Sequence, residues 1–320
     1  MSAQWEFRIN PRFKYARAFS EDLAAVETEE IRDLWGYIDP TGRLVIEPKF
    51  EFIEMAEGHS RSGFSHGLAV VADEDLNHGF INPLGEYVNS IKFENAGNFY
   101  DGLAKVSLRN RWGFIDRQFK VAIGPLFEDV GSFSEGLAYA RMERNGKWGF
   151  IDKTGNFKIP ISYESAGIFS DGLAAICINK KWGYIDKNNE MKIKPEFDVA
   201  NQFSNGLAAV ELNNKLSFID TNGNIIITTN YRTGDSFSEG LALVATFDHE
   251  EKARMDQWAD KQYREKGILF QRNESSLWKW GYIDSKGEIA IPIQFQQAGS
   301  FSNGLAAVQV KDKWGYIAII

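Results

Sequence analysis

The feature that most constrains this chain is a distance that does not change. From the tryptophan of a recurring Trp-Gly dipeptide to the next aromatic residue is 15 positions: Trp35 to Phe50, Trp112 to Phe127, Trp148 to Tyr163, Trp182 to Phe197 and Trp280 to Phe295. Two degenerate copies keep it, His78 to Phe93 and Leu216 to Tyr231. The dipeptide sits in "KWGYID" at Lys181 and Lys279, with variants at Leu34, Arg111, Lys147 and Lys313. A second string, FSxGLAxV or a close variant, begins near positions 19, 64, 99, 133, 169, 203, 237 and 301. Eight units with a period near 35 mark a repeat array.

Not every spacing is fixed. From the aromatic to the Phe of the next FS string the step is 6, except from Phe50 to Phe64, where eight residues (54–61) are added. From the Leu of GLA to the Trp it varies: 9 for Leu207 to Leu216, 11 for Leu137 to Trp148, 12 for Leu23 to Trp35 and 39 for Leu241 to Trp280. Constant steps imply a packed frame, and the variable one implies an exposed turn on the same edge of every unit.

The residues around Trp-Gly are β-branched or aromatic, which favours strand. After the strand, Asp precedes a Gly by three, as in Asp39 to Gly42, Asp152 to Gly155, Asp220 to Gly223 and Asp284 to Gly287. This spacing predicts a short hairpin turn, with the Asp accepting backbone N–H groups and the Gly left-handed. Asn189 takes the Gly position after Asp186, whereas Phe119 follows Asp116 and predicts a rearranged turn there. Each unit reads as a β-meander. In Trp182 to Asp186 both strand faces are apolar, so units are expected to be sandwiched between neighbours.

FSxGLAxV followed by [KR]WG[YF]ID, then a Gly and an Ile before an aromatic, resembles the bacterial WG-repeat (KWG-repeat) family. The resemblance covers essentially the whole chain outside one long insertion. It implies a repeat scaffold and supplies no catalytic residues, because that family is defined by its repeat. The expected fold is therefore all-β, eight units of ~35 residues in one domain over 1–320, with an inserted helix and loop at 245–278. Residues 1–18 resemble the end of a unit and "KWGYIAII" its start, so joined they would complete the last repeat. That favours a closed, propeller-like ring, since closure hides an unpaired strand. The short unit argues for an open β-solenoid.

The repeated Trp35, Trp112, Trp148, Trp182, Trp280 and Trp314 admit two readings: a ladder of sugar-stacking platforms, or core rings that bond their indole N–H. Fixed spacing and the Leu216 replacement favour the core. Asp39, Asp116, Asp152, Asp186, Asp220 and Asp284 read as turn caps, since each turn offers one carboxylate where calcium needs six to eight oxygens. His59, His66 and His78 have no zinc-site spacing, so no metal and no cofactor is expected. No nucleophile, phosphate-loop or dinucleotide signature occurs.

A net charge of −8 with dispersed Lys and Arg speaks against nucleic acid. One cysteine, no leader-like start and no apolar span suggest a cytoplasmic protein without a membrane segment. The insertion opens with Asp248 and Glu251 at capping-box spacing and stops at Gly267. Its Met255, Trp258, Tyr263, Leu269, Phe270 and Trp278 are the candidate contact residues. The expected function is a non-catalytic scaffold for another protein, acting through the variable edge and this insertion. A carbohydrate or cell-envelope binding module is the alternative, a glycan or small molecule being its ligand. A propeller-type hydrolase comes third.

Overall fold

The computed structural model describes residues 4–31, 33–51, 63–89, 92–249, 252–258 and 277–320. Each complete unit is a four-stranded antiparallel meander. In the unit at 165–197 the strands are Ser165–Ser170, Leu173–Ile178, Lys181–Asp186 and Met191–Phe197, hydrogen-bonded in that order. The segment leading into the FS string supplies the first strand and is often just two residues long, as at Val199–Ala200 before Phe203. So short a first strand lets ~35 residues complete a propeller blade.

Around the ring the described residues form sheet 1 (15–50), sheet 2 (69–81), sheet 3 (95–127), sheet 4 (129–163), sheet 5 (165–197), sheet 6 (199–228) and sheet 7 (233–295). Sheet 8 takes three strands from 297–319 and its fourth from Trp5–Phe13, with Trp5 opposite Ile319 and Phe13 opposite Trp314. Among the described residues, seven sheets are four-stranded blades and sheet 2 has two strands.

Core packing lies between the sheets. Successive residues of the third strand face opposite neighbours: Tyr184 packs toward sheet 6 with Phe203 and Val210, whereas Ile185 packs toward sheet 4 with Phe150 and Ile159. One aromatic pair recurs at all eight junctions, joining the third strand of each sheet to the FS phenylalanine of the next. It runs Tyr37–Phe64, Phe80–Phe99, Phe114–Phe133, Phe150–Phe169, Tyr184–Phe203, Phe218–Phe237, Tyr282–Phe301 and Tyr316–Phe19, with centroids 4.7–5.1 Å apart. Each adds about 1 kcal/mol beyond area burial. The Tyr316–Phe19 pair closes the ring, so the architecture is an all-β closed propeller rather than an open solenoid.

The glycine of Trp-Gly has a specific cause. Trp182 pairs with Phe197 and Tyr184 with Ile193, so two steps along the third strand face four along the fourth. The two extra residues bulge inward, and a Cβ on Gly183 would lie 2.5 Å from the Ile193 carbonyl oxygen. The same contact recurs at Gly36, Gly113, Gly149 and Gly315, at 2.5–2.6 Å. Proline often occupies the bulge (Pro48, Pro125, Pro195), where no ladder N–H is needed.

Sheet 6 is the natural control. Ser217 replaces the glycine, and there Ser217 pairs directly with Thr228, followed by Phe218 with Ile227. The extra residues open farther along, where Leu216 bonds Thr229 on one side and Tyr231 on the other.

One expectation is corrected. Asp116 to Phe119 makes the ordinary turn: Phe119 N–H donates to the Asp116 carbonyl at 2.9 Å with Phe119 at φ 60°. The strain of a left-handed phenylalanine is offset by packing, since its ring lies 5.5 Å from that of Phe80 and 6.1 Å from that of Phe99.

Candidate interaction surfaces

In a meander, the first-to-second and third-to-fourth turns emerge on one face of the ring, and the second-to-third turns on the other. The first face is a belt of turns tied to one another at most junctions. Serines of the FS string reach across junctions: Ser20 Oγ donates to the Phe64 carbonyl at 2.6 Å, Ser65 to Phe99 at 2.6 Å, Ser134 to Phe169 at 2.7 Å, Ser170 to Phe203 at 2.6 Å and Ser238 to Phe301 at 2.7 Å. The acidic residue after such a serine, or after Tyr100 in sheet 3, accepts a glycine N–H of the next sheet. Gly67 donates to Glu21 at 2.7 Å, Gly136 to Asp101 at 2.6 Å, Gly172 to Glu135 at 3.2 Å, Gly206 to Asp171 at 2.7 Å and Gly304 to Glu239 at 3.0 Å.

The aspartates of the third-to-fourth turns share this face. Asp39, Asp116, Asp152, Asp186, Asp220 and Asp284 each accept two backbone N–H bonds through Oδ1, from residues two and four later, at 2.8–3.2 Å. Hydrogen bonds hold several carboxyls below the usual range, the first being from the Thr154 hydroxyl to Asp152 and from the Glu190 N–H to Asp186. Among the described residues, no group of three His, Cys, Asp or Glu side chains could hold a metal ion.

The opposite face carries the turns of variable length. The shortest are two-residue hairpins with both residues left-handed, at Arg109–Asn110, Asn179–Lys180, Asn213–Asn214 and Lys311–Asp312. A side chain next to the fourth-strand aromatic caps them: Glu164 accepts the Asn179 and Lys180 N–H groups at 3.1 and 3.0 Å, and Glu94 those of Arg109 and Asn110. Sequence reasoning missed these caps, although an acid or amide after the aromatic recurs in Phe93–Glu94, Tyr163–Glu164, Phe197–Asp198 and Phe295–Gln296.

The long insertion leaves from this face. Its base is clasped by Asp248 N–H donating to the Leu277 carbonyl at 2.8 Å. Residues 252–258 are helical; Met255 is half-buried, and Trp258 is 52% exposed. Trp278, half-buried, begins the third strand of sheet 7 and meets Phe247 edge-to-face at 5.4 Å. Tyr263, Leu269 and Phe270 lie outside the described residues, as do Glu251, Gly267, His59 and the 54–61 insertion.

The Trp-Gly tryptophans pack against the core clusters, but most of them are not wholly enclosed. Trp35 is buried, but Trp112, Trp148, Trp182, Trp280 and Trp314 are half-buried. They stand at the start of the third strand, beside the surface turn, so one edge of each ring reaches solvent. The Trp314 indole nitrogen is buried with no hydrogen-bond partner. Cations cover ring faces: the Arg141 guanidinium lies 4.6 Å from the Trp148 ring, Lys105 Nζ 5.3 Å from Trp112 and Arg17 5.6 Å from Trp35.

The WG containing repeat model matches residues 6–30, 35–61, 79–112, 112–148, 148–182, 182–215, 217–245 and 280–314. The chain belongs to the WG-repeat family. No curated protein sequence matches it significantly. Among solved structures, a eukaryotic initiation factor is similar over 96% of this chain and 83% of its own, at 12% identity and a TM-score of 0.53. BamB from Moraxella catarrhalis shows 11% identity and a TM-score of 0.47, covering 72% of this chain and 78% of its own. A streptogramin B lyase shows 12% and 0.44, covering 99% and 98%. At such identities the likeness concerns the fold alone.

Proposed function

We propose that this WG-repeat protein is a non-catalytic cytoplasmic scaffold that binds another protein through the face of variable turns. The observation that carries this reading is the contrast between a constant blade and its turn. The same strand pair is closed by two residues at 179–180 in sheet 5 and by the whole of 248–277 in sheet 7. A lengthened turn that exposes Trp258 on an otherwise conventional blade is the arrangement of a contact arm.

The chemistry elsewhere supports a binding role. Among the described residues, the largest shifts in acidity belong to core tyrosines 37, 184, 282 and 316, pushed up by burial, which reflects packing. A ladder of sugar-stacking tryptophans has less support, because cations lie over the rings of Trp35, Trp112 and Trp148.

The test replaces 248–277 by the Asn-Lys turn of sheet 5 and compares both forms, checked for equal β content. A partner captured by the whole protein is purified and titrated against each. Loss of binding in the shortened form supports the reading; equal affinity, or capture of nothing specific by either form, overturns it.

A further inference from the structure

The belt face contains an unfilled version of a contact that the protein makes twice within itself. At the junction of sheets 3 and 4, Asp101 accepts the Gly136 N–H on one oxygen at 2.6 Å. Its other oxygen and its main-chain carbonyl take the Lys153 ammonium, at 2.8 and 2.7 Å. At the junction of sheets 4 and 5, Glu135 accepts the Gly172 N–H on one oxygen and lies 2.8 Å from Lys187 Nζ with the other. Lys153 and Lys187 occupy the same place, directly after the aspartate that ends the third strand.

At the junction of sheets 7 and 8, half of this arrangement is present. Glu239 Oε2 accepts the Gly304 N–H at 3.0 Å. The residue at the lysine position is Ile319, and sheet 8 has no third-to-fourth turn because its fourth strand is Trp5–Phe13. In place of a lysine there is a cleft of about 320 Å3, lined by Glu239, Gly240, Leu241, Phe301, Gly304 and Ile319. Its walls are apolar apart from the Glu239 carboxylate and the glycine backbone. The other acidic junctions differ: Glu21 uses both oxygens on the His66 and Gly67 N–H groups, and Asp171 has the short Thr221 at the lysine position.

We propose that this cleft binds a lysine side chain of a partner protein, its aliphatic stem against Leu241, Phe301 and Ile319 and its ammonium on Glu239. The internal pairs supply the template, and the carboxylate supplies the charge. The contact lies on the face opposite the one where Asp248 and Leu277 begin and end the long turn, and it does not depend on that turn's role. A partly exposed ion pair is weak alone, so affinity requires stem and head together.

The test titrates Nα-acetyl-lysine-N-methylamide into the full chain by NMR, with the norleucine analogue as the uncharged control. Saturable binding of the lysine compound is expected, at least about tenfold tighter than the control. Glu239→Gln keeps an acceptor for Gly304 and should weaken binding about tenfold. Ile319→Lys should abolish it by filling the cleft from within. Equal binding of the two compounds, no saturable binding, or unchanged binding in both folded variants overturns the proposal.

Discussion

Sheets 2 and 5 are written from the same unit, and their described residues pair to different extents. In sheet 5, Trp182 pairs with Phe197, and the fourth strand bulges until its backbone touches Gly183. In sheet 2, His78 replaces the tryptophan, and the described residues form two strands, Ala69–Ala72 and His78–Ile81. The outer positions survive as isolated bridges, Glu51 with Ala72, His78 with Phe93 and Ile81 with Tyr87. A Cβ on Gly79 would meet the Tyr87 ring at 2.9 Å instead of a carbonyl. The glycine is therefore needed where backbone fills the bulge and matters less where a side chain does. Sheet 2 keeps its place in the ring through the junctions, where Phe64 and Phe80 are fully buried against Tyr37 and Phe99.

The largest expected effect breaks this contrast directly. Gly183→Ala should destabilise the protein by about 3 kcal/mol, because the Ile193 carbonyl cannot move without the bulge. Gly79→Ala should cost about 1 kcal/mol, because a tyrosine ring can shift. Urea melts of both variants measure the difference, and equal costs would remove the bulge as the explanation.

Next comes pH. His78 is buried, and desolvation lowers its pKa below the ordinary histidine value, opposed more weakly by the backbone of Phe93 and Glu94 and then by Asp73, which is itself paired with Lys92. The folded state thus holds a neutral ring, while the unfolded chain takes up a proton below about pH 6.5. This contribution to stability is present above that pH and is lost as pH falls. Sheet 5 has Trp182 at the same position and no such group. Thermal melts between pH 7.5 and 5.5, pH values chosen as roughly one unit either side of the unfolded pKa, should fall less steeply for His78→Phe than for the natural chain.

A smaller effect concerns the turn caps. Asp152 and Asn82 hold equivalent turns, Asn82 Oδ1 accepting the Leu84 and Glu86 N–H groups at 3.0 and 3.1 Å. Asp152→Ala should cost about 1 kcal/mol and Asp152→Asn only a few tenths, measured by the same melts.

Much of the frame was legible in the sequence because repetition separates fixed spacings from variable ones. The 15-residue step is the direct pairing of Trp182 with Phe197 plus an invariant hairpin and bulge, and sheet 8 takes its fourth strand from Trp5–Phe13. What stayed hidden depends on atoms far apart in the chain. The FS serine was visible as a letter, but its acceptor is a carbonyl 33 to 44 residues away in most junctions. Half-burial of the tryptophans was missed because pleat alternation assigns a face, not a depth along the strand. The left-handed Phe119 was missed because its compensation comes from rings in other strands. On the candidate surfaces, the variable turns could be read from the Leu-to-Trp spacing, whereas the Glu239 cleft depends on sheets 7 and 8 packing side by side to bring Glu239, Gly304 and Ile319 together.

Native-state hydrogen exchange resolved by segment tests the central claim most directly: a ring held by its junctions, with one sector whose described residues form only two strands. The amides of 69–72 and 78–81 should exchange through local opening, well before those of 173–178 and 181–186, which should exchange only with global unfolding. Equal protection of the two segments, or faster exchange in 173–186, would contradict the account.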